Sequence, residues 1–179
     1  MKRFLRTVPQ LILAPLLVMG MVTLILYLLG QAPDYIQGER HGLKEYDSIK
    51  KAETDIGFKL VIPTYFPSYL PWPPAKIYGQ REPVPMVQAL FLSQYESSEV
   101  MIISQIASNS EDLPVSLPWV ETVRQKTPVS IGASKGVLIT GVRADGQLLN
   151  GAYWRSGDFY FVVITTRSER ELLTIVRSM

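Results

Sequence analysis

The chain has 179 residues, enough for one domain with an appendage, and 47% of them are hydrophobic while 19% are charged. This composition excludes a disordered chain, and a formal net charge of +2 excludes a strongly basic nucleic-acid binder. The absence of cysteine excludes disulfide scaffolds, zinc ribbons and iron–sulfur sites. The single histidine, His41, leaves little room for histidine catalysis.

A basic tip and a long apolar run open the chain. Residues 1–10 contain three basic side chains and no acid, and no charge occurs from Leu11 to Leu29. A helix of this length crosses the bilayer core, so residues 11–30 are predicted to be a single-pass transmembrane signal anchor. Because the positive charge precedes the helix, the N-terminus is expected in the cytoplasm. The rest of the chain is then expected on the outer, periplasmic or extracellular side of the plasma (inner) membrane.

A cleaved signal peptide is the alternative to this anchor. Its small-residue site would be Gly30-Gln31-Ala32, but Pro33 follows directly and disfavours processing. Within the helix, Gly20, Thr23 and Tyr27 fall on one side and are expected to contact a partner helix. Small residues permit close approach, and hydroxyl groups bond across a helix pair. The other interpretation is that glycine is simply common in membrane helices.

Three segments follow the anchor. Residues 31–42 are polar, contain proline and glycine, and are predicted to be a linker. Residues 43–54 place apolar side chains at helical spacing with charged residues between them, which predicts an amphipathic helix. Residues 57–63 are mostly apolar and end at a proline, which predicts a short strand.

The stretch from Pro63 to Pro85 is rich in proline and aromatic residues, which disfavour a regular strand ladder. One interpretation is an irregular wall whose rings plug one face of a sheet. The other is a recognition surface formed by Tyr65, Phe66, Tyr69, Trp72, Pro73 and Pro74. Trp72-Pro73-Pro74 is expected to be its exposed part because no apolar periodicity surrounds it. The residues predicted to contact a protein partner are Tyr69, Trp72, Pro73 and Pro74.

The remaining chain predicts an antiparallel meander closed by a helix. Trp119 to Gln125 is expected to form one or two helical turns, and Ser168–Glu171 has the pattern of a capping box that opens a C-terminal helix. The predicted strands are 85–93, 100–107, 127–131, 136–142, 148–154 and 159–165. The expected fold class is α+β, with a curved antiparallel sheet, an amphipathic helix before it and the C-terminal helix packed on one face. Residues 43–179 would form this extracytoplasmic domain.

No motif for catalysis is found. Asp145 and Asp158 lie in turns at opposite ends of one predicted strand, too far apart to act as a pair. Ser134 and Lys135 are neighbours in sequence, which does not make a dyad, and the loop 132–136 lacks the spacing of a phosphate-binding loop. The chain is therefore expected to be no enzyme and to need no cofactor and no metal.

The outer domain resembles a loose family of bacterial extracytoplasmic domains that occur behind a membrane helix in anti-sigma-factor-like and lipoprotein-carrier-like proteins. The resemblance is carried by three stretches: Gly57 to Pro67, an entry strand ending in a proline–aromatic turn; Trp154 to Tyr160, a closing hairpin; and Glu169 to Met179, a terminal helix. It implies a curved antiparallel sheet with helices on one side, used for binding. Only about ten residues would remain in the cytoplasm, fewer than an anti-sigma domain requires.

These observations predict a non-enzymatic single-pass membrane protein that acts as an accessory or scaffolding subunit of an envelope or membrane protein complex. Its partners would be the membrane and another envelope protein, with no nucleic acid. The alternative function is an extracytoplasmic sensor or carrier that binds a lipid or another small apolar ligand. A hydrolase whose site the motifs do not reveal is the third and least favoured reading.

Overall fold

The computed structural model describes residues 43–96, 98–110, 112–113 and 115–179. The predicted tip, anchor and linker lie outside these residues, and so do the proposed helix contacts Gly20, Thr23 and Tyr27. Within the described part of the chain, no helix is long and apolar enough to cross a membrane.

The described residues form one sheet of eight strands that carries two helices, which confirms the predicted α+β class and the antiparallel sheet. Each neighbouring pair of strands runs antiparallel. In chain order the elements are β1 (Lys44–Tyr46), α1 (Ile49–Ile56), β2 (Lys76–Gln80), β3 (Met86–Leu92), β4 (Glu99–Ala107), β5 (Thr122–Ile131), β6 (Ser134–Val142), β7 (Leu148–Ser156), β8 (Phe159–Thr165) and α2 (Glu169–Val176).

The sheet consists of two meanders joined in its centre. Its strand order is β1-β2-β3-β4-β8-β7-β6-β5, so the last strand of the chain pairs with the fourth. The β4–β8 register runs from Met101 opposite Thr165 to Ala107 opposite Phe159. After β4 the chain crosses to the far edge, begins β5 there, and returns strand by strand to the centre.

One face of the sheet, called face one, packs against both helices. Helix α1 lies on β2 and β3, and α2 lies on β7 and β8, which confirms that the C-terminal helix packs on the sheet. The core between them contains Val87, Phe91, Ile103, Phe161 and Leu172, each at most 5% exposed. Burial of this apolar surface is the main stabilising contribution on this side.

The opposite face, face two, is packed by the crossing segment between β4 and β5. Leu113, Val115, Leu117, Trp119 and Val120 pack on a core that belongs to the strands. That core contains Ile102, Ile106, Ile139, Leu149, Tyr160, Val162 and Ile164.

Side-chain contacts fasten the crossing segment. The guanidinium group of Arg143 lies 5.3 Å from the ring centre of Trp119 and 3.1 Å from the carboxylate of Glu99. Through Arg143, Trp119 of the crossing segment is linked to the turn between β6 and β7 and to the start of β4.

The predicted helix over 43–54 is wrong at its beginning. Residues Lys44–Tyr46 instead form β1, an edge strand paired with β2, so a strand precedes the helix. Helix α1 begins after Ser48, whose hydroxyl oxygen accepts a hydrogen bond from the backbone N–H of Lys51. It ends at Gly57, whose φ of 96° is the left-handed conformation that glycine adopts without strain.

The predicted strand over 57–63 is also wrong, because this segment runs over face one without a strand partner. Its backbone bonds to a glutamine side chain instead. The amide of Gln105, a buried residue of β4, accepts from the N–H of Val61 at 2.7 Å and donates to the carbonyl of Lys59 at 3.0 Å. Glu53 of α1 accepts from the N–H of Leu60 in the same way. These bonds satisfy donors and acceptors that a ladder would otherwise satisfy.

Two further segments differ from expectation. Trp119–Gln125 forms no helical turn: Trp119 has a φ of 64°, and β5 begins at Thr122 as a strand longer than the predicted 127–131. Strand β2 lies inside the proline-rich stretch, where no strand is predicted. The strands near 85–93, 100–107, 136–142, 148–154 and 159–165 are confirmed, and so is the C-terminal helix with Ser168 as its N-cap.

A cluster of charges fastens β1 to α1. The carboxylate of Asp55 accepts from the hydroxyl of Tyr46 at 2.5 Å and from the ammonium of Lys44 at 3.0 Å, and it pairs with Arg81 at 2.7 Å. The Tyr46 hydrogen bond and the Lys44 ammonium lower the pKa of Asp55. Burial and the bond to Asp55 raise the pKa of Tyr46 to about 12.

Replacing Gln105 tests the account of the 57–63 segment. We expect Gln105→Leu to lower the free energy of unfolding by about 1–3 kcal/mol, because it removes the two hydrogen bonds that the buried Gln105 amide makes to the N–H of Val61 and the carbonyl of Lys59. Urea unfolding of the full chain in mild detergent measures this, with the exposed Gln125→Leu as the control. Equal stability of the two variants would contradict this account.

The Asp55 cluster predicts a dependence on pH. A lowered pKa in the folded state gives stability above the ordinary value of 3.8 that is lost as the pH falls through the folded pKa. Asp55→Asn is therefore expected to be less stable than the unmodified chain at pH 7, and this difference is expected to shrink below about pH 4. Urea unfolding across pH measures this difference, and Asp158→Asn is the control, because the exposed Asp158 carboxylate forms no ion pair with any described residue. If the stability difference between Asp55→Asn and the unmodified chain did not change with pH, this would contradict the role of the Asp55 carboxylate.

Candidate partner-binding surface

Residues 63–75, the part of the proline-rich stretch that precedes β2, form the proline-rich segment, which main-chain bonds hold at several points. The N–H of Thr64 donates to the carbonyl of Ser178, and the carbonyl of Tyr69 accepts from the N–H of Gln94. The N–H of Ala75 donates to Leu90 of β3. The segment is therefore tied to the C-terminus, to the β3–β4 turn and to β3 although it has no regular structure.

Three aromatic rings connect this segment to the core. The ring centres of Phe66 and Trp72 lie 5.4 Å apart, and the ring of Phe91 lies 5.4 Å from Phe66 and 6.4 Å from Trp72. Phe91 is 1% exposed, whereas Trp72 is 49% exposed. The indole of Trp72 thus has one side on the core and the other in solvent.

A small apolar recess lies beside these rings. It has a volume of about 10 Å³, close to the space of a single water molecule. Its walls include Leu60, Val61, Phe66, Trp72 and Ile103. We define the aromatic patch as Val61, Phe66, Trp72 and Pro73, of which Val61 is 40% exposed and Pro73 is exposed.

Tyr69 has a different role from its neighbours in the segment. Its ring is partly buried, its hydroxyl donates to the carboxylate of Glu171 on α2, and the guanidinium of Arg167 lies 5.0 Å from its centre. Burial and the bond to Glu171 raise the pKa of Tyr69. Arg167 in turn pairs with Glu96 at 3.4 Å. Tyr69 therefore fastens the segment to α2.

The four residues predicted to contact a protein partner in the outer domain differ in their exposure. Trp72 and Pro73 are exposed and lie beside each other, Tyr69 is partly buried against Glu171, and Pro74 is buried, contrary to the expected exposure of Trp72-Pro73-Pro74. The sequence places Phe66 in a recognition surface but gives no sign of Val61. The apolar character of Val61 alone does not distinguish it from a core residue, because only the path of the chain brings it beside Trp72.

The residues considered for catalysis do not come together. Asp145 precedes β7 and Asp158 follows it, so the two lie at opposite ends of this strand, as expected. Ser134 and Lys135 are consecutive in β6, so their side chains point to opposite faces of the sheet. Among the described residues, no group of three or more histidine, aspartate or glutamate side chains is placed to hold a metal ion.

Comparisons with protein-family models, with curated proteins and with solved structures find no match to this chain. The resemblance to extracytoplasmic domains behind a membrane helix therefore stays a prediction.

The half-exposed position of Trp72 predicts an unequal effect of two truncations. Phe91→Ala removes a fully buried ring and is expected to lower the free energy of unfolding by about 3–5 kcal/mol. Trp72→Ala removes a ring that is half in solvent and is expected to cost about 1 kcal/mol. Urea unfolding of both variants measures the difference. Equal losses would mean that Trp72 belongs to the core and is no contact residue.

Proposed function

We propose that this chain is a single-pass membrane protein whose outer domain binds another envelope protein through the aromatic patch. It would act as an accessory or scaffolding subunit of a membrane complex. The observation that carries the proposal is the half-exposed indole of Trp72, which stands beside exposed Val61 and Pro73 on a segment tied to the sheet.

The composition of the patch supports a protein partner. Tryptophan is among the residues that contribute most to binding energy at protein interfaces, where an indole fills a pocket and excludes water. Neighbouring exposed apolar side chains mark an interaction site more strongly than single ones. The recess beside Trp72 has room for about one water molecule, so a partner would contact the patch mainly from outside.

The rigidity of the patch supports the same role. The main-chain bonds of Thr64, Tyr69 and Ala75 fix the segment before any partner arrives. A surface that is already ordered loses little conformational entropy on binding, which favours affinity. The uncharged run from Leu11 to Leu29 supports an anchor that would hold this surface near the membrane.

Photocrosslinking in native membranes tests the proposal. A photoreactive phenylalanine analogue at position 72 of the full chain is expected to give one discrete protein adduct. The same analogue at position 95 is the matched control, since Tyr95 is a 76% exposed aromatic residue in the β3–β4 turn. Trp72→Ala is expected to weaken the association about tenfold or more without unfolding the domain.

The other outcomes separate the alternatives. No adduct from position 72, or the same adducts from positions 72 and 95, would contradict the proposal. Adducts with lipid alone would favour the sensor or carrier function in its place.

A further inference from the structure

Strand β5 is exposed to solvent along almost its whole length. It has ten residues and forms the far edge of the sheet. Every residue from Thr122 to Pro128 is exposed, although the side chains alternate between the two faces, and only Ile131 is buried. Strands of antiparallel sheets ordinarily bury one face, so β5 depends mainly on its main-chain bonds to β6.

The register shows which main-chain groups on the outer edge of β5 have no strand partner among the described residues. Ile131 and Ser134 flank a two-residue turn and form the closing pair, so the bonded positions of β5 alternate from Ile131. The main-chain groups of Lys126, Pro128 and Ser130 therefore point away from β6. Lys126 and Ser130 offer an N–H and a carbonyl each, and Pro128 offers a carbonyl only.

The hairpin of β5 and β6 is also a region of positive charge. From Thr122 to Val142 it contains Arg124, Lys126 and Lys135 and no acidic residue. None of these three forms an ion pair within the described part of the chain. Residues 43–179 contain equal numbers of acidic and basic residues, so the rest of the domain has three more acids than bases.

Lys126 and Lys135 lie on the same face of the hairpin. Lys126 pairs with Ile139, and Ser130 pairs with Lys135, and these positions are related by an even number of residues along each strand. The outer edge of β5 thus combines main-chain groups that point away from β6 with positive side chains on one face.

We propose that the outer edge of β5 binds an extended acidic segment of a partner protein as an additional antiparallel strand. Main-chain bonds to Lys126, Pro128 and Ser130 would supply binding, and acidic side chains at alternate positions would lie beside Lys126. Charge complementarity favours an acidic segment, because every charged side chain of the β5–β6 hairpin is basic.

A second copy of this chain is a poor occupant of the same edge. Pairing two β5 strands would bring lysine and arginine side chains together. Pro128 removes one donor, and the register shift between Val123 and Gln125 places Arg124 in a bulge. Both features weaken the pairing of any added strand alike, so the like charges are what distinguish a second copy from an acidic segment.

This surface is separate from the aromatic patch and does not rest on the function proposed above. The patch lies over β3 and β4, and β5 is four strands away from β4, or about 19 Å. Loss of binding at one surface is therefore distinguishable from loss at the other.

Peptide probes test the proposal with the full chain in mild detergent. The first probe is a fluorescent peptide of about eight residues that alternates glutamate and valine. The second has the same sequence but is N-methylated at alternate residues, which keeps the charge and removes donors. The third replaces glutamate by lysine. Fluorescence anisotropy measures binding, and amide hydrogen exchange measures protection at Lys126 and Ser130.

We expect only the first peptide to bind, with an affinity that falls as salt is added. The amides of Lys126 and Ser130 should become protected. The double variant Lys126→Glu, Lys135→Glu should weaken binding about tenfold or more, whereas Lys59→Glu, at an exposed lysine of the 57–63 segment, should not.

Three results would overturn the proposal: no binding of the acidic peptide, equal binding of its N-methylated form, or equal effects of the two charge reversals. Unchanged urea midpoints for both variants would show that the charge reversals leave the fold intact.

Discussion

The pairing of β4 with β8 is the interaction on which the rest of the domain depends. It joins a meander built from the first half of the domain to one built from the second half, and both strands are buried along nearly their whole length. Seven residue pairs, from Met101–Thr165 to Ala107–Phe159, form the junction. Because the two central strands are far apart in sequence, their pairing is the non-local contact that joins the two meanders into one sheet.

This junction determines where the exposed surfaces lie. With β4 and β8 in the centre, the chain must cross to reach β5, and its crossing segment packs on face two with Trp119 and its neighbours. The proline-rich segment is left on face one over β3 and β4, where Trp72 stands half in solvent. Strand β5 is left at the far edge with few residues buried. The position of the aromatic patch and that of the outer edge of β5 both follow from the same topology.

The elements whose signals are local could be predicted from the sequence. Strands β3, β4, β6, β7 and β8 have alternating or continuous apolar residues between turn residues, and α2 has its cap at Ser168. The segments whose predicted structure was wrong depend on contacts with residues that are distant in sequence. Residues 57–63 have a strand-like composition, but Gln105 of β4 binds their backbone in place of a neighbouring strand. No local pattern marks β1, because only its pairing with β2 distinguishes it from the first turn of a helix.

The two candidate surfaces also differ in how far the sequence alone predicts them. The exposure of Trp72 and Pro73 followed from the absence of apolar periodicity around them, but the burial of Pro74 and the place of Val61 and Phe66 depend on how the segment folds back onto the sheet. Pro128 and Lys126 within β5 are typical of an edge strand, but its place at the far edge depends on the β4–β8 pairing and on the meander from β5 to β8.

The central claim, that this chain works by contact with another envelope protein, is tested most directly by its state in native membranes. The tagged full chain would be extracted in mild detergent after chemical crosslinking and separated by size. The account predicts that it migrates in a complex with a defined partner, and that Trp72→Ala shifts it to the smaller species. Migration alone, with no partner crosslinked in either form, would contradict the account.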